Sequence, residues 1–281
     1  MSLAEVVEVN GIRRRLEHLG SQRGSLYLST TWPPGATSCV IVCSSVFSDF
    51  TSNYHRERLL ARTLATNGHG VIRFHYAGEG NSEGDRRDMT FLSLCQDASA
   101  VLHHASALGF SKFALLGTRL GALVAAATVA SMPLVPLALW EPVADSHSFI
   151  SEAQRARRIS RTARGLGSEA SGWTDELVRD GVLDVLGYDL HQSFLDSLKS
   201  VDLLNIVGTR PRPIFIARFR ERSRRMNELD ETLRSRKFLV ESLTFNVSES
   251  WWFHDQHAPR SGDLLTATSL WLNANFKNDS R

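Results

Sequence analysis

The segment Gly117-Thr118-Arg119-Leu120-Gly121 speaks most directly to chemistry. Glycines two positions to either side of a residue, between a buried apolar strand and a close-packed helix, allow a sharp, strained turn that would lift its side chain above a sheet. Nucleophiles are held that way, and here the central residue is arginine. A guanidinium stays protonated, so acyl-enzyme chemistry through position 119 is excluded. Arginine can instead present a planar fork of donors to a carboxylate, phosphate or oxyanion, aided by the positive end of the helix it opens. The competing reading is that Arg119 pairs with an internal acid such as Glu141 and fills a dead pocket, because buried charges are usually paired.

The surrounding elements must place this turn. Strand-like stretches around Val6 to His18 and Gly24 to Thr31 predict an opening antiparallel hairpin. The unbroken apolar run Ser38 to Cys43 suits a strand buried on both faces. A helix over Tyr54 to Thr66, a strand from Gly70 to Tyr76, a helix over about Thr90 to Leu108 and the strand Lys112 to Leu116 lead into the elbow. An alanine-rich helix and a strand from Leu134 to Trp140 follow it. This alternation predicts an α/β fold with a doubly wound, mostly parallel sheet and right-handed crossovers. The rhythm breaks after Glu141-Pro142, where residues 146–208 read as helices and polar loops with no strand of comparable strength. They are expected to form a helical lid inserted into a core domain of residues 1–145 and 209–281. The core resumes with a strand at Pro213 to Ala217, a helix near Ser223 to Arg236, a strand at Phe238 to Phe245 and a helix from about Ser261 to Phe276.

These residues resemble the α/β-hydrolase superfamily and, within it, the second type of exosortase-system-associated hydrolases of bacterial exopolysaccharide gene clusters. Gly117-Thr118-Arg119-Leu120-Gly121-Ala122 is similar to that group's Gly-Leu-Arg-Leu-Gly-Ala, and Trp140-Glu141-Pro142-Val143 resembles its Trp-Gln-Pro-Val. The likeness covers residues 38 to 160 well and the C-terminal third by layout. Arg73 to Gly84 resembles the superfamily's Arg-Phe-Asp-Tyr-x-Gly-x-Gly-Asp-Ser-x-Gly, with His75 and Asn81 in place of two aspartates. A local hydrogen-bonding role for His75 is expected over a catalytic one.

In the superfamily the chain order is nucleophile, acid, histidine. Glu221 is the carboxylate placed for the acid, although a solvated charge among arginines is an equal reading. His254 and His257 lie in the expected histidine loop, and His254, beside Trp251-Trp252-Phe253, is the favoured general base. The loop Ser44 to Phe50 and the Leu120 amide would hold an oxyanion, with Ser45 a candidate displaced nucleophile. Arg155, Arg158 and Arg161 share one helical side, either as a solvated face or as steering for an anionic substrate, and Trp252 would supply an apolar wall.

The chain has 281 residues, 42% hydrophobic and 22% charged, enough for one large core. A net charge of +2 argues for neither nucleic acid nor an anionic membrane. No basic and then apolar leader opens the chain, and no apolar run reaches the roughly 18 residues of a membrane span. A soluble, cytoplasmic protein is expected. Cys39, Cys43 and Cys95 read as reduced core thiols, with neither a metal nor a cofactor called for. As an enzyme, the chain would act without a serine on an acyl, ester or thioester substrate, hydrolysing it or transferring the acyl group, with His254 activating water or an acceptor, Glu221 as the acid and Arg119 binding substrate charge. The resemblance implies a bacterial biosynthetic pathway. The competing reading is a catalytically inert protein holding an anionic ligand or a partner, and whether it forms a homodimer is left open.

Overall fold

The computed structural model describes residues 5–132, 134–165, 181–219, 224–245 and 262–278. A nine-stranded sheet runs in the order β1-β2-β3-β5-β4-β6-β7-β10-β11. Its first part is antiparallel: β1 (Val6–Val9), β2 (Ile12–Ser21) and β3 (Gly24–Trp32). β5 (Gly70–Phe74), β4 (Ser38–Cys43), β6 (Lys112–Thr118), β7 (Leu137–Trp140), β10 (Pro213–Arg218) and β11 (Leu239–Thr244) are parallel to one another. The stretch expected to be one strand over Val6 to His18 is broken by Asn10-Gly11, both at positive φ with Val9 paired to Ile12. That is the two-residue turn that matches strand twist.

β4 shows why an unbroken apolar run is needed in the middle of the sheet. Cys39, Ile41 and Cys43 face the layer of α2 (Phe91–Ala107) and α3 (Gly121–Val129), whereas Val40 and Val42 face α1 (Phe47–Thr66) and α8 (Gly262–Asn278). Both strand cysteines are free and buried on one side, and burial raises their thiol pKa values, keeping them inert. α2 starts at a capping box: Ser93 N donates to Thr90 Oγ1 (3.1 Å) and Thr90 N to Ser93 Oγ (2.8 Å).

Two expectations are corrected. α1 begins at Phe47 rather than Tyr54, because the burial of Phe47 and the dipole-matched Asp49 in the first turn start the helix seven residues earlier. Between β7 and β10 lie α4 (Ser146–Ala163), a hairpin of β8 (Val182–Val185) and β9 (Tyr188–His191), and the short helices α5 (Gln192–Leu198) and α6 (Leu203–Ile206). The hairpin was not expected in a helical segment. It closes at Leu186-Gly187, both at positive φ, and buries Leu183, Val185 and Leu190. α7 (Arg224–Ser235) packs beside β11. No helix among the described residues is long and apolar enough to cross a membrane.

Candidate functional site

β4 lies between β5 and β6, so the chain winds away from it in both directions, and the crevice beyond its C-terminal end is where open α/β sheets place their sites. The elbow stands on this edge. Arg119 has φ of 52°, its amide donates to the Trp140 carbonyl (3.0 Å), and α3 starts two residues later. The flanking glycines are obligatory: a Cβ on Gly117 would overlap the backbone of Gly121 and Ala122, and one on Gly121 would overlap the carbonyl oxygens of Cys43 and Ser44. The strained turn expected from the pentapeptide is therefore present.

The Arg119 side chain is buried between carboxylates that the sequence did not single out. Its Nε donates to Asp49 Oδ2 (3.2 Å), its Nη2 to Glu152 Oε2, and its Nη1 to the Glu141 carbonyl (3.4 Å). The expected pairing with an internal acid is present, with Asp49 and Glu152 as the bonded carboxylates and Glu141 acting on the guanidinium through its charge. Glu141 offers its carbonyl, while its Oε2 accepts from the Phe219 amide (2.6 Å). Asp49 comes from the first turn of α1 and Glu152 from α4, so one guanidinium ties the core to the segment after β7. Burial pushes the Asp49 carboxyl above its ordinary range, although the Arg119 guanidinium opposes the shift. Arg119 itself is held more firmly protonated by Asp49, Glu152 and Glu141, which outweigh its desolvation.

A second buried acid organises the backbone beneath. Glu57 accepts from Ser44 Oγ (2.6 Å) and Thr118 Oγ1 (2.8 Å), and Thr118 Oγ1 accepts the Ser45 amide (3.1 Å). Burial raises the Glu57 pKa, while Arg73 and these hydroxyls lower it.

Beside Arg119 opens a pocket of about 490 Å³, part of it open solvent, whose polar members are Ser48, Asp49, Arg119 and Glu152. Its walls are apolar, with Phe47 from α1, Phe149, Ala153 and Ala156 from α4, and Tyr188 and Leu190 from the hairpin.

The remaining expected residues fall as follows. Ser45 is fully buried, with its amide on Thr118 and its hydroxyl 3.5 Å from Asp49 Oδ2, so it lies under the pocket floor instead of lining it. The Leu120 side chain is buried, and its amide is among those a helix N-terminus leaves without an intrahelical acceptor. Arg158 is exposed, because the α4 face toward the pocket runs through Phe149, Glu152, Ala153 and Ala156. Glu221, His254, His257 and Trp252 lie outside the described residues. His75 has the local role: its Nδ1 accepts from the Asn81 amide (2.9 Å), and burial lowers its pKa to about 4, leaving it neutral. A sequence signal did exist for Glu152, the sole acid between Ser146 and Gly165 among five arginines.

No protein-family model matches the chain, and no curated protein matches it by sequence. Solved structures do match it in shape. Est1E from Butyrivibrio proteoclasticus with ferulic acid bound has a TM-score of 0.65 at 16% identity, covering 93% of this chain and 99% of that one. Mouse alpha/beta hydrolase domain-containing protein 10 gives 0.58 at 14% identity over 94% and 98%. A thioesterase domain from the curacin biosynthetic pathway gives 0.52 at 14% identity over 92% and 99%. With this likeness added to the switch-point elbow and the flanking helix layers, the chain is an α/β-hydrolase-fold protein with an arginine at the turn from β6 into α3.

Proposed function

We propose that this protein binds an apolar small molecule in the pocket beside the elbow and does not turn it over by serine chemistry. The supporting observation is the engagement of Arg119: at the position where a serine hydrolase of this fold carries its nucleophile, the side chain is bonded to two carboxylates and a carbonyl. In the same proposal, residues 146–208 act as a lid over a core of 1–145 and 209–281, clamped through Glu152. The similarity of Gly117 to Ala122 and Trp140 to Val143 to the exosortase-associated group supports a role in a bacterial biosynthetic pathway.

A second reading is ester or thioester hydrolysis, or acyl transfer, without a serine, with His254 as base and Glu221 as acid. It is favoured by one observation: β10 and β11 run parallel to β6 and end at the same sheet edge as the elbow, and Glu221 and His254 follow these two strands in the sequence.

Titration with Nile red, a neutral apolar dye, tests the pocket. Ala156→Phe adds bulk to the α4 wall of the pocket and is expected to weaken dye binding about tenfold with the far-ultraviolet circular dichroism unchanged. Equal binding by both proteins would place the apolar site elsewhere.

A further inference from the structure

The charge balance at the pocket's polar end restricts its ligand. Arg119 is its one cation among the described lining residues, and it faces both Asp49 and Glu152. Its bonds engage Asp49 Oδ2 and Glu152 Oε2, leaving Asp49 Oδ1 and Glu152 Oε1 as acceptors without a donor among the described residues. Asp49 is nearly enclosed, whereas the Glu152 side chain is 32% exposed at the pocket mouth. The floor therefore offers acceptors and surplus negative charge. A carboxylate or phosphate entering here would have to displace Glu152 from a guanidinium it already satisfies. A ligand ammonium meets an acceptor that is only partly desolvated, with the aromatic ring of Phe149 alongside, while the rings of Phe47 and Tyr188 already face the Arg86 guanidinium.

We infer that the pocket selects an apolar ligand whose polar end is a cationic hydrogen-bond donor, such as a primary ammonium, read by Glu152 across the elbow. This rests on the reading of the pocket as a ligand site and adds the ligand's chemical class.

The test uses three probes with the same tail, decylamine, decanol and decanoate, titrated calorimetrically into the full chain at pH 7 below their aggregation concentrations. Decylamine is expected to bind about tenfold or more tightly than decanoate, with decanol between, since a charge-assisted bond replaces a like-charge contact. In Glu152→Gln the amine-to-carboxylate ratio is expected to collapse toward one, and an unchanged ratio would overturn the role given to Glu152. Decanoate binding as tightly as decylamine to the wild type would overturn the inference while leaving the pocket as a site. Failure of all three probes to bind would instead overturn the ligand-site reading itself.

Discussion

Replacing Arg119 with methionine is expected to destabilise the protein by about 3–5 kcal/mol near neutral pH, the range for removing one partner of a buried ion pair. Methionine keeps much of the aliphatic bulk, so the loss is mainly electrostatic. It strands Asp49, which is buried in the first turn of α1, and releases Glu152 on α4. The sign of the pH dependence follows from Asp49. Burial already raises its folded pKa above the unfolded value and Arg119 opposes that rise, so removing the guanidinium raises it further. A carboxyl with a raised folded pKa favours the folded state below the unfolded pKa and loses that benefit as pH rises through the folded one. The deficit of Arg119→Met relative to wild type should be larger at pH 8 than at pH 5.5, read from urea denaturation midpoints. Arg119→Lys keeps the charge without the fork and should fall between the two. A deficit under about 1 kcal/mol, flat with pH, would mean that the cluster does not hold α4 to the core.

Gly121→Ala carries the second large effect. The added methyl would fall on the carbonyl oxygens of Cys43 and Ser44, backbone atoms at the end of a fully buried strand, which cannot move aside as a side-chain tip can. Overpacking of this kind costs typically about 1–3 kcal/mol, and a backbone obstacle places it at the upper end or beyond. Gly20 in β2 is the control: its Cβ would meet open space, and Gly20→Ala should shift stability by no more than about 0.5 kcal/mol. Thermal melts of the two variants separate the steric account from a general cost of replacing glycine. Similar melting points would remove the close approach of α3 to β4 as the reason for the second elbow glycine.

The parallel sheet and the elbow were legible in the sequence because both are local signals. Buried strands announce themselves as unbroken apolar runs such as Ser38 to Cys43, and the elbow by two glycines that each abut backbone in the structure. Turn residues and alternation carry further local signals: Asn10-Gly11 ends β1, and the apolar alternation of Leu183 and Val185, with Leu190 across from them, marks a hairpin between α4 and α5. The polar cluster was harder to foresee. Asp49 lies 70 residues and Glu152 33 residues from Arg119, and only the packing of α1 and α4 over the β6 end brings them together. Position 119 and the nearby acid Glu141, whose charge acts on it, are legible in the sequence, but the bonded partners Asp49 and Glu152 belong to tertiary structure.

The proposed function has Arg119, held by Asp49 and Glu152, standing at the elbow in place of a nucleophile. Release of p-nitrophenol and free thiol from panels of p-nitrophenyl esters and acyl thioesters, followed for wild type, Arg119→Ser and His254→Ala, tests it most directly. Wild type is predicted to release product no faster than buffer, whatever the acyl length; activity gained only in Arg119→Ser would mark a scaffold kept without its reaction. Wild-type turnover that disappears in His254→Ala would contradict the claim and establish serine-independent catalysis at this elbow.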